Sequence, residues 1–484
     1  MNKRVYIVGA GFAGKTLALE IQRKSVFGRV AAFLDDDIEK IGRVINGVPV
    51  LGPVAEAVRA LSPQSGDEAV VAMPSATRDY QWKVYAVLRD AGFQKIRILP
   101  TISQIVKGDA LFIQTRAIDP QDLLGRSPVS INLKESLAYL RGKRVLVTGA
   151  GGSIGSELCR QLLSGGAERL YLLGHGENSI YQIDRELRLL QEEGVGEKAT
   201  VVPVIGDLKD APYVEFLLSR LKADVVFHTA AYKHVPMMEE NPVAVIQNNL
   251  FGAENLMKAA LTHGVKRFVH ITTDKAVEPR SMYGASKFLC ERLAAETATA
   301  SKNGAFMAVR FGNVLGSRGS IIPLFEGQIA KGGPVTVTHP DMKRWFMSIP
   351  EACSLILKAG GLGENGRLYL LDMGEPVKIR DIAEQMIRFY GFEPDKDVKI
   401  VYTGVRPGEK LGERLVASNE EAVETGFNRI LRIEKTRRND RDAFWETLER
   451  LRPICYFDEK HPSVYRDAAL LREIIGDIFI TMNN

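Results

Sequence analysis

Residues 145–158, VLVTGAGGSIGSEL, constrain this chain more than any other stretch. Val145 to Thr148 form a short, largely apolar run, the pattern of a strand buried on both faces. Gly149, Gly152 and Gly155 follow at a three-residue spacing, and an amphipathic run from Glu157 to Leu163 completes a strand, a glycine turn and a helix. Such a unit belongs to a parallel sheet covered by helices. It also leaves backbone amides at a helix N-terminus open to a pyrophosphate, because glycine puts no Cβ in the way.

About 130 residues on, HITTDKAVEPRSMYGASK (270–287) ends in Tyr283 and Lys287, four apart and therefore on one helix face. A tyrosine with a pKa of about 10 is a poor base at neutral pH. An adjacent ammonium stabilises the phenolate, and each tenfold gain in the phenol's acidity corresponds to ~1.4 kcal/mol. Behind a dinucleotide turn, the pair predicts hydride chemistry: the phenolate takes a hydroxyl proton while the carbon gives its hydride to a nicotinamide, with Thr273 sharing the hydroxyl's hydrogen bonds.

A chain of 484 residues, 45% hydrophobic and 25% charged, has room for two or three globular domains. Its net charge of +5 suits an anionic small ligand, and no Lys/Arg block interleaved with aromatics suggests a nucleic-acid partner. Cys159, Cys290, Cys353 and Cys455 are isolated, which predicts neither a zinc site nor a disulfide framework and points to a reducing cytoplasm. No run of 18 uncharged apolar residues occurs, so no membrane span is expected.

In chain order, KRVYIVGAGFAGKTLALEI (3–21) is another strand, glycine turn and helix, with Gly9, Gly11 and Gly14 in the tighter dinucleotide spacing. The next strand, Val30 to Leu34, ends in Asp35, Asp36 and Asp37, which either read a ribose hydroxyl or form a turn with a helix cap. Strands at 69–72 and 96–99 and a helix at 80–91 continue the alternation. These features predict an α/β architecture of two Rossmann-like, doubly wound parallel-sheet domains, the second bearing a small substrate-binding cap. The expected boundaries are 1–125 for a nucleotide-binding domain, 126–141 for a linker, 142–435 for the catalytic domain and 436–484 for a helical tail.

Within the second domain, the strand Leu170 to Leu173 ends in Gly174, where a complete pattern would carry an acid; Glu177 is the nearest carboxylate. Asp207, after the strand 200–205, accepts from an adenine amine or caps a turn. Asn248 and Asn249 open a helix, and His228 reads as a structural polar group. Farther on, Arg310, Asn313 and Arg318, then Arg344, then Arg406, Glu409 and Lys410 offer charged loops for phosphate and carbonyl groups. The tail holds helical stretches with Phe444, Leu448 and Leu451 on one face and Ala468, Leu471 and Ile475 on another.

VTGAGGSIGSEL, AAYKHVPMMEENP, TTDKAVEPRSMYGASK, RFGNVLGSRGSIIPLF and RPGEKLGE, in order over about 300 residues, resemble the extended short-chain dehydrogenase/reductase superfamily. Within it they look most like the nucleotide-sugar 4,6-dehydratases of bacterial capsule and glycan synthesis. The resemblance implies that Gly149, Gly152, Ser153, Ile154, Gly155, Glu177, Asp207, Leu208 and Ala230, with Tyr283 and Lys287, hold an NAD or NADP that stays tightly bound and is recycled. It implies Thr273, Tyr283 and Lys287 for hydride transfer and Asp274 and Lys275 for elimination. Lys233, Asn313, Arg318, Arg344, Arg406 and Glu409 would bind a UDP-sugar, with UDP-N-acetylglucosamine the expected substrate. Larger members place transmembrane helices ahead of the first domain, so a cytosolic form of that architecture is expected here, as a homo-oligomer. Many of those members have methionine where this chain has Tyr283.

Oxidation at C4 makes the C5 hydrogen acidic, so a base removes it while an acid protonates the departing C6 hydroxyl, and hydride returns to C6. Asp274 is the expected acid and Lys275 the base, where the related hexose dehydratases have Asp-Glu. No metal is required. The alternatives are a UDP-sugar C4 epimerase and, in a different class, a protein that senses nucleotide sugars.

Overall fold

The computed structural model describes residues 4–24, 29–61, 63–64, 67–73, 76, 78–93, 95–98, 137–196, 198–390, 392–435 and 441–483. The described residues up to 98, together with 388–390 and 392, belong to one compact unit, and the others from 137 onward belong to a second. Most of the expected linker, up to position 136, lies outside the described residues.

The first unit has strands β1 (Arg4–Val8), β2 (Arg29–Leu34), β3 (Val44–Ile45), β4 (Val48–Leu51), β5 (Glu68–Val71) and β6 (Lys95–Ile98) in the order β3-β4-β2-β1-β5-β6. Only the β3–β4 pairing is antiparallel. Alternation along β1 sends Val5 and Ile7 into one apolar cluster and Tyr6 and Val8 into another, so both sheet faces are covered. The three aspartates are engaged, and residues 38–42 after them form turns where a capped helix was the alternative expected. Asp35 Oδ2 accepts from the Ala10 amide at 2.6 Å, and Asp36 accepts from the Val54 amide at 2.7 Å and from the Tyr80 hydroxyl. Asp37 pairs with Lys40 at 2.8 Å.

In the second unit, β7 (Arg144–Thr148), β8 (Arg169–Gly174), β9 (Thr200–Ile205), β10 (Val225–His228), β11 (Arg267–Ile271) and β12 (Ala305–Arg310) run parallel in the order β9-β8-β7-β10-β11-β12. Leu368–Leu371 extends the sheet in parallel, and Ile430–Lys435 and Glu420–Glu424 close it with antiparallel strands. Strand order reverses between β7 and β10. Ligands of such sheets bind in the crevice outside the strand ends at that reversal. Two cores flank the sheet, one around Leu146, Phe268 and Leu289 and the other around Val147, Leu172 and Ile356.

Asn248 and Asn249 do not open a helix. They lie in a π-helical segment, Ile246–Phe251, continuous with Pro242–Val245 before it and Gly252–Thr262 after it. The π turn brings Asn249 under Tyr232, whose amide donates to its Oδ1 at 2.8 Å, while its Nδ2 donates to Ser286 Oγ at 3.0 Å. The tail helices Arg441–Cys455 and Ala468–Asn483 put Phe444, Leu448, Leu451 and Leu471 into the same core as the Met282–Ala300 helix. Among the described residues no helix is long and apolar enough to cross a membrane.

Candidate active site

The glycine turn after β7 forms a cradle. Gly149 has φ +66°, and a Cβ there would stand 2.7 Å from the Ala230 amide nitrogen; a Cβ on Gly155 would stand 2.2 Å from the Gly149 carbonyl. Side chains are excluded where the turn, β10 and the Ser153–Ser164 helix converge. That helix begins at Gly152 with no side-chain cap, so the amides of its first turn, from Ser153 and Ile154 onward, remain for an anion. These features fit the pyrophosphate of a dinucleotide.

Around the cradle the other expected cofactor residues differ. Leu208 is buried. Asp207 accepts from the Lys209 amide at 3.0 Å and pairs with its ammonium at 3.2 Å, which makes it at least a turn former. Glu177 is exposed at the first position of the Glu177–Glu192 helix. A Cβ at Gly174 would stand 2.9 Å from Ile180 Cδ1 of that helix, so a side chain there requires Ile180 to shift.

β11 delivers the reactive run at its C-terminal end. Thr273 caps a short 3-10 turn, Asp274–Ala276. Its hydroxyl donates to Asp274 Oδ1 at 2.9 Å. Lys275 Nζ lies 3.0 Å from the same Oδ1 and donates to Asn313 Oδ1, also at 3.0 Å. Asp274 is 0% exposed, and its Oδ2 has no hydrogen-bond partner. A buried carboxylate oxygen left unpaired at a strand end is a strong pointer to a ligand that completes it.

Ser281 starts the Met282–Ala300 helix by accepting from the Gly284 amide at 3.0 Å. Tyr283 and Lys287 follow on its inward face. The expectation that Lys287 depresses the phenol's pKa fails in this structure. Burial and the Asp274 charge push Tyr283 above its ordinary value, and a hydrogen bond with Thr273 opposes them. Lys287 Nζ instead donates to the Ile271 carbonyl at 2.7 Å, and burial lowers its pKa.

The charged loops separate into three groups. Arg318, expected on the substrate, lies at the glycine turn: its guanidinium donates to the Gly151 carbonyl at 2.9 Å and its amide to Ser153 Oγ at 3.0 Å. Arg344 is buried and donates to the Leu411 carbonyl of the RPGEKLGE loop at 3.2 Å, while within that loop Arg406 pairs with Glu409 at 3.0 Å. Lys233 is exposed and its ammonium reaches Ser317 Oγ at 3.4 Å; desolvation of that end and the Lys275 charge lower its pKa. Arg310 is not available to phosphate, because it is enclosed between Glu291 and Glu420. Sequence reading missed those two glutamates and took Asn249 only for a residue opening a helix. The eight-residue interval from Tyr283 to Glu291, two helical turns, was the available signal.

A family model described as polysaccharide biosynthesis protein matches residues 145–435. EpsC of Bacillus subtilis, a probable polysaccharide biosynthesis protein, is 41% identical over 430 residues, 89% of this chain and 71% of that protein. A UDP-N-acetylglucosamine 4,6-dehydratase (inverting) of Campylobacter jejuni is 30% identical over 296 residues, 60% of this chain and 83% of that one. A UDP-glucose 4-epimerase of Rickettsia bellii is 31% identical over 301 residues, again 60% of this chain and 82% of its own.

Proposed function

The chain belongs to the polysaccharide biosynthesis protein family, and from that premise we propose that its second unit carries out the 4,6-dehydration of UDP-N-acetylglucosamine with an NAD or NADP retained throughout. The observation that carries this reading is the Asp274–Lys275 pair beside Tyr283, its carboxylate buried and with one oxygen unpaired. An epimerase needs only the hydride-transfer residues. An acid and a base in one contact serve the elimination that a dehydratase adds.

A bound nicotinamide would supply the hydride acceptor at C4 and the hydride donor at C6. Every proton is handled by the chain. Burial keeps Tyr283 neutral, so as its oxygen takes the C4 hydroxyl proton its own proton passes through Thr273 Oγ1 to Asp274, 2.9 Å farther on. Asp274 then protonates the departing C6 oxygen. Lys275 must enter this step deprotonated to take the C5 proton, which it returns to C5 when C6 is reduced. The C4 hydroxyl proton thus leaves in the water, and Tyr283, Asp274 and Lys275 end as they began.

Arg406 and Glu409 of the RPGEKLGE loop, with Arg344 against it, are best suited to the nucleoside diphosphate, and Lys233 and Asn313 to the sugar. Four buried, unpaired cysteines suit a reducing cytoplasm. The product would feed surface polysaccharide synthesis. To test the reading, the purified protein is denatured to release any dinucleotide, and the native protein is mixed rapidly with UDP-N-acetylglucosamine. A released NAD or NADP and a transient reduced-nicotinamide absorbance are expected; protein that binds the sugar nucleotide but never reduces nicotinamide refutes the reading and favours a sensor.

A further inference from the structure

Glu291 stands one turn beyond Lys287 and two beyond Tyr283 on the Met282–Ala300 helix, so all three share a face. Its carboxylate accepts from Thr272 Oγ1 at 2.9 Å and from Arg310 Nε and Nη2 at 3.0 and 2.7 Å. Arg310 also donates to Glu420 at 2.7 and 3.1 Å and to the Leu415 carbonyl at 2.9 Å. All five guanidinium N–H groups are therefore used. The side chains of Arg310, Glu291 and Glu420 are 1%, 2% and 4% exposed.

Two carboxylates against one guanidinium leave a net negative charge inside the protein. For stability alone such a network is a poor choice, because desolvation offsets most of its attraction and apolar packing often does as well. What the charge faces gives it a use. Lys287 is 3% exposed and hydrogen-bonded to a neutral carbonyl. The groups around it are Tyr283, Cys290 and Glu291 of its own helix, His228 of β10 and His270 of β11. Burial pushes the Cys290 thiol up to about 12 and raises the phenol, so both are neutral. Burial and the Lys287 charge itself lower both histidines, which are neutral too. Glu291 is the one anion in that set.

We propose that the Glu291–Arg310–Glu420 network is a positioning device for the hydride-transfer pair: it holds a positive charge on buried Lys287 and fixes Thr272, the neighbour of Thr273, against the same helix. Arg310 is shared between Glu291 and Glu420, 2.7 Å from each, so one guanidinium faces two carboxylates. The catalytic part of this inference rests on the hydride-transfer reading above; the charge on Lys287 does not. Removing the Glu291 charge leaves burial unopposed, so the ammonium gives up its proton at lower pH.

The test follows the side-chain nitrogen of Lys287 by NMR through a pH titration of the full-length protein labelled with 15N-lysine, the signal being assigned by its loss in Lys287→Met. Glu291→Gln is expected to lower the midpoint by about one pH unit or more, and Glu291→Asp to hold it near the wild-type value. Should Glu291→Gln not fold, the combined Glu291→Gln, Arg310→Met, Glu420→Gln variant neutralises the network without stranding a buried charge, and the same drop is expected. An unmoved midpoint in the neutralised protein overturns the proposal. The alkaline limb of nicotinamide reduction should move with the midpoint, whereas a merely structural role would lower the rate equally at every pH. A midpoint that falls in a protein that never reduces nicotinamide upholds the charge device and defeats the hydride-transfer reading alone.

Discussion

Lys275 Nζ and Asp274 Oδ1 lie 3.0 Å apart at the end of β11, so the proposed base and acid of the elimination share one contact. Adjacent residues in an extended strand would point to opposite faces. The 3-10 turn Asp274–Ala276 brings both to one side, and Asn313 holds the lysine there.

Separate loss of the two groups should separate two steps. Asp274→Asn removes the acceptor of the C4 hydroxyl proton as well as the acid for the C6 oxygen, so nicotinamide reduction itself should slow. Lys275→Met should instead stall after oxidation, with 4-keto sugar and reduced cofactor accumulating together, and stop exchange of the C5 hydrogen with solvent deuterium. Rapid-mixing absorbance and deuterium incorporation read both. Nicotinamide reduction at the wild-type rate in Asp274→Asn would refute the relay to Asp274, and normal C5 exchange in Lys275→Met would assign the base to another residue.

Tyr283→Phe keeps the buried ring and removes only the hydroxyl, so the fold should persist. The first hydride transfer should slow by roughly a hundredfold to ten-thousandfold, the usual cost of losing a general acid–base group. Near-normal single-turnover reduction of nicotinamide would assign C4 oxidation to another residue.

The fold was largely legible because the strands are short apolar runs stopped by glycine or acid. The 200–205 strand was placed at its observed ends, and β7 and β8 within a residue. Glycine spacing located the cradle for a local reason, since the turn, β10 and helix meet where no Cβ fits. Charge partners were not legible. The phenol's environment depends on burial and on Asp274, nine residues earlier, and Arg310 looked available until Glu420, 110 residues later in sequence, was found against it. Such pairings belong to tertiary structure and leave no local spacing to read.

All of the proposed catalytic and substrate residues lie between Gly149 and Glu409, in the second unit. A protein beginning near residue 130 is therefore expected to keep cofactor binding and dehydratase activity. A folded truncation that binds both ligands without turnover would give the first unit a part in catalysis.

Buried neutral histidines make stability pH-dependent. His228 is pushed down to about 3 and His270 well below its ordinary value, chiefly by burial. Unfolded histidine titrates near 6.5, so below that pH the unfolded chain binds protons that the fold refuses, and stability falls on acidification by up to ~1.4 kcal/mol per pH unit for each histidine. Above it the contribution is complete. Denaturant unfolding between about pH 7 and pH 5 should show this slope, reduced by roughly one proton in His270→Gln. An unchanged slope in the variant would mean that His270 is charged in the fold.

The central claim is tested most directly by the mass of the product. Wild-type protein with its own dinucleotide is incubated with UDP-N-acetylglucosamine, and the sugar nucleotide is weighed by mass spectrometry. Loss of one water, with no added oxidant or reductant, is the predicted result; an unchanged mass with inverted configuration at C4 would contradict it and make the protein an epimerase.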